Sequence, residues 1–460
     1  MKRCSLIGDR AFYRRLLSVM LPILVQNVIT NFVSLLDNLM VGQVGTEPMS
    51  GVAIVNQLLF VFNLCVFGGL AGPGIFTAQF YGRGDREGVR DSFRAKLWVA
   101  FGAVLLFAAA LLRWGDGLIR LFLHEGGEAL SLEATLGFGR SYLRVMLLQM
   151  PLFAAVQIYA STLRETGETR LPMRAGIIAV FVNLIFNYLL IFGKLGLPAL
   201  GVTGAAIATV LSRVVECGVV VVWTHRHRAR AAYITDAWRS LRVPAALAKK
   251  IAVTGLPLLV NEVLWSAGMT ALNQCYSVRG LEAVSATNIS ATVFNLFLCF
   301  CFSMGSTVAI MIGQLLGAGE TERAVDEDRK LNAFSVALGA AVGGVMALVA
   351  PLIPELYNTT DTVKALASGL LLINAALLPF IAYTNVCYFT LRSGGSTLVV
   401  FLFDSAYIWV CCVTLAFVLS RFTQLPLLPM YAAVQALELV KCAVGFFLVR
   451  SRKWVNNLVA

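Results

Sequence analysis

The sequence predicts an all-α membrane protein, with twelve transmembrane helices in two parallel-repeat six-helix lobes around a central cleft. Three observations lead to this prediction: an apolar composition, recurring apolar segments of bilayer length, and an internal repeat. Of the 460 residues, 58% are hydrophobic and 13% are charged, and the mean hydropathy is +0.78. Soluble domains carry about a quarter charged residues. Lipid is therefore the expected surrounding of most of the chain.

Apolar segments long enough to cross a bilayer, which takes about 20 residues, recur along the whole chain. Short charged or Gly- and Pro-containing segments separate them and mark the connections. The predicted helices are 16–40, 50–74, 92–113, 138–162, 172–194, 200–223, 247–271, 285–312, 331–353, 365–390, 396–420 and 426–450.

Lysine and arginine are concentrated on alternate connections of these helices. They cluster at the amino terminus, in the connections that follow even-numbered helices, and at the carboxyl terminus. By the positive-inside rule, both termini are predicted to be cytoplasmic in a multi-pass protein of the inner membrane. This distribution accounts for the net charge of +12 without a nucleic-acid partner.

An internal repeat relates the two halves of the chain. Gln79-x-x-Gly82 recurs 235 residues later as Gln314-x-x-Gly317, in register with its surroundings. Further matches are Leu21-Pro22 with Leu256-Pro257, Gly45 with Gly280, Arg94 with Arg329, and Thr162-Leu163-Arg164-x-x-Gly167 with Thr390-Leu391-Arg392-x-x-Gly395. The predicted domains are a lobe at 1–225, a basic cytoplasmic linker at 226–244 and a lobe at 245–460. Because six helices is an even number, the lobes are parallel repeats whose cleft can open alternately to either side, as in a transporter.

These motifs closely resemble the multidrug and toxic compound extrusion (MATE) family over nearly the whole chain. The motifs that carry the resemblance are Asp37-Asn38-x-x-Val41-Gly42-x-x-Gly45, Ala78-Gln79-x-x-Gly82-x-Gly84-Asp85 with its copy Gly313-Gln314-x-x-Gly317-x-Gly319-Glu320, Leu163-Arg164-Glu165-Thr166-Gly167, and Asn183-x-x-x-Asn187. Each motif alone is weak, but together, in order and duplicated, they are specific. The resemblance implies proton- or sodium-driven antiport that exports amphipathic, often cationic organic molecules, without ATP hydrolysis or a cofactor.

The first half contains a candidate ion-coupling site at Asp37, Asn183, Asn187 and Thr209. An ionised carboxylate in hydrocarbon costs several kcal/mol, so Asp37 within helix one needs a reason. Asn183 and Asn187 are four residues apart on one helical face and can point toward it. The predicted coupling ion is H⁺ or Na⁺, and Na⁺ would bind at Asp37, Asn183 and Asn187. The alternatives are a structural cap for Asp37 and interhelical hydrogen bonds for the two asparagines.

The resemblance agrees for Asp37, because the family's first-helix aspartate is a coupling residue. One branch of the family carries aspartate where Asn187 stands, so a relay of two carboxylates is not expected here.

The second half contains candidate cation- and substrate-binding residues at Glu262, Asn385 and Asp404. Glu262 lies in the middle of helix seven and matches the seventh-helix glutamate of the NorM-like branch. That branch also has an acid in helix ten, where this chain offers Asn374 and Asn385. The alternative for Asp404 is that it lies in a water-filled vestibule and has no functional role. Arg213 with Glu216, and Glu438 with Lys441, are spaced to neutralise each other along one helix.

Other functions stay open at this point. A lipid-linked saccharide flippase of the same superfamily is one alternative, although it would be expected to line its cleft with cations that bind pyrophosphate. A non-transport membrane protein is another. No Walker loop, HExxH or GxSxG motif supports an enzyme. We therefore expect a monomeric non-enzyme whose partners are small organic molecules and membrane lipid.

Overall fold

In a computed structural model of the chain, which describes residues 6–122, 132–357 and 359–460, twelve helices are long and apolar enough to cross a membrane. They are α1 Arg10–Gly42, α2 Thr46–Arg83, α3 Arg86–Phe122, α4 Leu132–Glu165, α5 Arg170–Phe192, α6 Gly201–Arg226, α7 Ala245–Ser277, α8 Leu281–Gly317, α9 Thr321–Val349, α10 Asp361–Ser393, α11 Thr397–Phe422 and α12 Leu427–Arg450. The predicted all-α class with twelve spans is confirmed.

Most helices are longer than their predicted apolar segments. The sequence predicts helix two at 50–74, whereas α2 runs from Thr46 to Arg83. It contains 38 residues, about 57 Å at 1.5 Å per residue. The hydrocarbon core is only about 30 Å thick. Hydropathy detects the part of a helix that lipid surrounds, whereas the backbone remains helical through polar turns beyond it.

The chain divides into two compact units. The amino unit comprises Val25–Thr77 and Arg86–Ile251. The carboxy unit comprises the chain up to Leu24, Ala78–Asp85 and Ala252–Ala460.

In the carboxy unit, the two copies of the Gln-x-x-Gly motif pack against each other through their glycines. A β-carbon added at Gly82 would lie 1.9 Å from the carbonyl oxygen of Gln314, and one added at Gly317 would lie 1.9 Å from the carbonyl oxygen of Gln79. Only glycine allows two helix backbones to approach this closely. The motif therefore repeats because each copy receives the backbone of the other.

The end of the chain packs on the same region of the carboxy unit. The Gln79 side chain donates to the carbonyl of Asn456 over 3.3 Å and accepts from the backbone N–H of Leu458 over 2.8 Å. Trp454 is 1% exposed. Its carbonyl lies where a side chain at Gly394 would stand. These contacts fix the carboxyl terminus against helix α2 and the end of α10.

In the amino unit, the basic linker lies against helix α3. Arg94 donates to the carbonyls of Ala237 and Asp236 over 3.0 and 2.8 Å. Trp98 donates its indole N–H to the carbonyl of Leu241 over 2.9 Å. The linker is therefore packed on α3 by side chains that bind its backbone.

Candidate functional site

Asp37 and two asparagines of helix α5 form a polar cluster inside the amino unit. Asn187 Nδ2 donates to Asp37 Oδ1 over 2.6 Å. Asn183 and Asn187 are 6% and 2% exposed. Asn183 also lies 3.4 Å from the hydroxyl of Thr209 on helix α6. The structure thus brings all four predicted ion-coupling residues together, each carried by a long helix that fixes its depth.

The Asn183 amide can present either end to Asp37. With its nitrogen turned toward the carboxyl group, that atom lies 2.9 Å from Oδ1 and 3.0 Å from Oδ2 and can donate to both. With its oxygen there, two acceptors face each other, and the contact then requires a proton on Asp37 or a cation between them. Rotation of one amide can therefore accommodate both states of the carboxyl group.

The cluster also contains an unused acceptor. Within the described part of the chain, the Oδ1 atom of Asn187 is buried without a hydrogen-bond partner. Nearby, Arg213 binds Glu216 over 2.5 Å, which confirms the pair predicted from their spacing. Among the described residues no salt bridge within 4.0 Å joins this arginine to Asp37, and Arg213 acts on that carboxyl group through its charge at longer range.

A second polar cluster, in the carboxy unit, connects helices α7, α10 and α11. Tyr388 donates its hydroxyl to Glu262 Oε1 over 3.3 Å. Asn261 Nδ2 lies 3.4 Å from the same hydroxyl and 3.1 Å from Asp404 Oδ2. A continuous chain of hydrogen bonds thus joins Glu262 to Asp404. Nothing in the sequence singles out Tyr388, because an aromatic residue in an apolar helix usually belongs to the core.

Asp404 is bound by a cation within the protein. Lys441 Nζ of helix α12 lies 2.9 Å from Asp404 Oδ1. No ion pair joins Lys441 to Glu438 among the described residues, so that predicted pair is replaced by one between two helices. Glu438 instead accepts a hydrogen bond from Thr384. Glu262 is in no ion pair within 4.0 Å in the described ranges, which leaves it the better placed of the two acids to attract an external cation.

Two π-helical segments within α11 bring Asp404 and Ser405 close to Asn261 of α7. Residues Leu402–Ala406 and Ile408–Val413 are π-helical, a form that is often found at functional sites. In this geometry Ser405 donates its hydroxyl to Asn261 Oδ1 over 2.7 Å, while Asp404 binds the amide nitrogen of the same residue.

The helix-ten asparagines lie apart from this chain of hydrogen bonds. Asn374 accepts from the Tyr431 hydroxyl over 3.0 Å and from Gln435 over 3.3 Å. Asn385 Oδ1 is buried without a partner in the described part of the chain, close to Gly305. The structure therefore joins Glu262 and Asp404 but does not connect Asn385 to either by a hydrogen bond among the described residues.

Comparisons with known proteins identify the family. The profile of the family described as MatE matches residues 22–189 and 257–421. The chain is 26% identical over 450 residues to a probable multidrug resistance protein NorM of Thermotoga maritima, covering 97% of this chain and 94% of that protein. It is 24% identical to a probable multidrug resistance protein YoeA of Bacillus subtilis, covering 97% and 96%.

The fold is likewise similar to a solved structure. An outward-facing multidrug resistance MATE transporter of the MOP superfamily superposes with a TM-score of 0.85 at 20% identity, covering 97% of this chain and 96% of that one. With the family profile matching both halves, the chain belongs to the MATE family of multidrug efflux transporters.

Proposed function

We propose that the chain is a secondary antiporter that exports amphipathic cationic organic compounds in exchange for H⁺. The observation that carries the proposal is the Asp37 carboxyl group, which lies within a membrane helix and is bound by amides, with Asn187 Nδ2 at 2.6 Å. An ionised carboxyl group within a membrane costs free energy, so its presence there indicates a function. Protonation and deprotonation of Asp37 would then alternate with substrate binding.

The donors around Asp37 favour H⁺ over Na⁺ as the coupling ion. A Na⁺ site needs several oxygen ligands that point at one position. Asn187 instead presents its amide nitrogen, which is a donor and not a Na⁺ ligand, to Asp37. One carboxyl group is enough to carry a proton.

In this proposal the two repeats, 1–225 and 245–460, are the lobes that move, and 226–244 joins them in the cytoplasm. The protein works as a monomer in the inner membrane with both termini cytoplasmic. The alternation of basic connections along the sequence supports this orientation.

The test is a transport assay with purified protein in liposomes. Vesicles with an acidic lumen are expected to take up ethidium, because protons leaving the lumen drive its entry. A permanent cation is the appropriate probe, since weak bases collect in acidic vesicles without a transporter. Uptake should stop when the pH gradient is collapsed and should not change with Na⁺ from zero to saturating concentration.

Protein-free liposomes are the control. Uptake that follows an imposed Na⁺ gradient and ignores the pH gradient would overturn proton coupling, and Asn183, Asn187 and Thr209 would then be tested as Na⁺ ligands. Absence of transport with either gradient would overturn the antiporter itself.

Glu262→Gln is expected to raise the KM for ethidium by up to about a hundredfold. A carboxylate some 5 Å from a cation contributes roughly 3 kcal/mol at an effective dielectric constant of 20, and 1.4 kcal/mol corresponds to a factor of ten. The KM of a neutral substrate should change much less. Glu355→Gln, at an exposed glutamate that binds Lys364, is the matched control. An equal loss for cationic and neutral compounds would indicate a structural role for Glu262.

A further inference from the structure

A buried carboxyl group stands between helices α9 and α10 of the carboxy unit, away from both clusters described above. Asp328 is 1% exposed. The Thr390 hydroxyl lies 2.5 Å from its Oδ1 atom, and Asn332 Nδ2 lies 3.2 Å from its Oδ2 atom. Both neighbours are uncharged.

No cation lies within 4.0 Å of this carboxyl group in the part of the chain that the structure describes. Arg329, the next residue on α9, acts on it only electrostatically. On α10, the titratable side chains that interact with it are Tyr383 and Cys387. Helix α8 also packs on α9, and its one charged residue is Glu282 in its first turn. The group is therefore buried without a neutralising partner.

The equivalent position in the first repeat shows how this fold neutralises a buried charge. Thr162 corresponds to Thr390, and its hydroxyl accepts from Lys96 over 3.0 Å. Lys96 is in turn paired with Glu165 over 2.5 Å. In the second repeat Ser393 stands at the position of Glu165. The second repeat therefore keeps the threonine but lacks the glutamate of the ion pair. The buried ionisable group that contacts this threonine is Asp328.

A further observation indicates that a hydrogen is needed here. Asn332 is 9% exposed, and its Oδ1 atom is buried without a partner among the described residues. Because Asn332 Nδ2 also donates to the backbone carbonyl of Asp328 over 3.0 Å, this amide and Thr390 supply one hydrogen each to the carboxyl group, and the two carboxylate oxygens and Asn332 Oδ1 outnumber those hydrogens. An ionised carboxylate in such surroundings costs several kcal/mol, whereas a protonated one is neutral and supplies the missing donor.

We propose that Asp328 is a second proton-binding site of this transporter, holding a proton on its carboxyl group while Oδ1 accepts from the Thr390 hydroxyl, and exchanging that proton when water reaches the α9–α10 junction. The proton is taken from water and returned to it, with no other reactant. The role of Asp328 in coupled transport rests on the proposed function, whereas the binding of a proton to Asp328 does not.

The direct test is infrared spectroscopy of the purified protein at neutral pH. The spectrum of the wild type minus that of Asp328→Asn should contain the C=O stretch of a protonated carboxyl group, and this feature should vanish at alkaline pH. Asp326→Asn, at a carboxylate that binds Lys330 over 2.6 Å, should leave the protonated band unchanged. A difference spectrum with only carboxylate bands would overturn the proposal.

A second variant keeps the test decisive if Asp328→Asn does not fold. Thr390→Val retains the carboxyl group and removes the hydroxyl, so the C=O band should shift to higher frequency. An unshifted band would show that the protonated carboxyl group is not the one that accepts from Thr390, and would overturn the assignment to Asp328.

The exchange step has its own readout, the number of protons moved per ethidium. This ratio is obtained from the pH gradient that just balances an opposing ethidium gradient, and it should fall by one in Asp328→Asn. An unchanged ratio would overturn exchange at this site. If the wild type shows no proton-driven transport, antiport fails while the infrared result still decides whether Asp328 binds a proton.

Discussion

Asp37→Asn is expected to abolish gradient-driven transport while the protein still folds. The asparagine has nearly the same shape and can keep an amide hydrogen bond to Asn187, which now donates to Asp37 over 2.6 Å. It cannot bind or release a proton, so substrate movement loses its coupling to the gradient. We expect ethidium uptake at the level of protein-free liposomes, with unchanged thermal unfolding.

Asp116→Asn is the matched control, because that carboxylate is 53% exposed and binds Arg140 at 2.6 Å. Its transport should be close to that of the wild type. Wild-type uptake by Asp37→Asn at equal protein content would show that Asp37 is a structural cap. Loss of both transport and folding would show that the carboxylate stabilises the amino unit instead.

The fold could be predicted from the sequence because lipid imposes a simple requirement on it. Every backbone group in hydrocarbon must be bonded within its own helix, so each span appears as an apolar segment of known length. Helix ends are less predictable, because Pro73 and Gly74 are residues typical of turns, yet α2 continues through them to Arg83.

The amino-unit cluster was also predictable, because a carboxylate in a membrane helix and two asparagines one turn apart are unusual there. Contacts between distant helices were not. Spacing along one helix correctly paired Arg213 with Glu216, but it also paired Lys441 with Glu438, whereas the structure gives Lys441 to Asp404 on another helix. Spacing shows which side chains share a face and not which helix that face meets.

Lys96 is a further buried charge whose partner lies on another helix, so spacing along its own helix could not identify that partner. In the sequence it is one of many basic residues near a connection, yet it is 0% exposed. Its ammonium group binds Ser161, Thr162 and Glu165 over 3.0, 3.0 and 2.5 Å. All three of its donors are thus used inside the amino unit.

Lys96→Met is expected to destabilise the protein strongly. Removing one partner of a buried ion pair leaves the other charge unpaired, which costs about 3–5 kcal/mol. The unfolding temperature in detergent should fall by roughly 5–10 °C. The chain's buried cysteines, such as Cys275, Cys299 and Cys387, allow unfolding to be followed with a thiol-reactive dye.

The double variant Lys96→Met with Glu165→Gln separates loss of charge balance from loss of packing. It removes both charges, so it should be more stable than Lys96→Met alone, because Glu165 is then no longer left as an unpaired buried charge. Lys330→Met is the control, since Lys330 pairs with Asp326, which is 45% exposed and partly solvated. Its unfolding temperature should change by less than a third as much. Equal losses for the single and double variants would mean that the lysine stem, and not its charge, stabilises the α3–α4 contact.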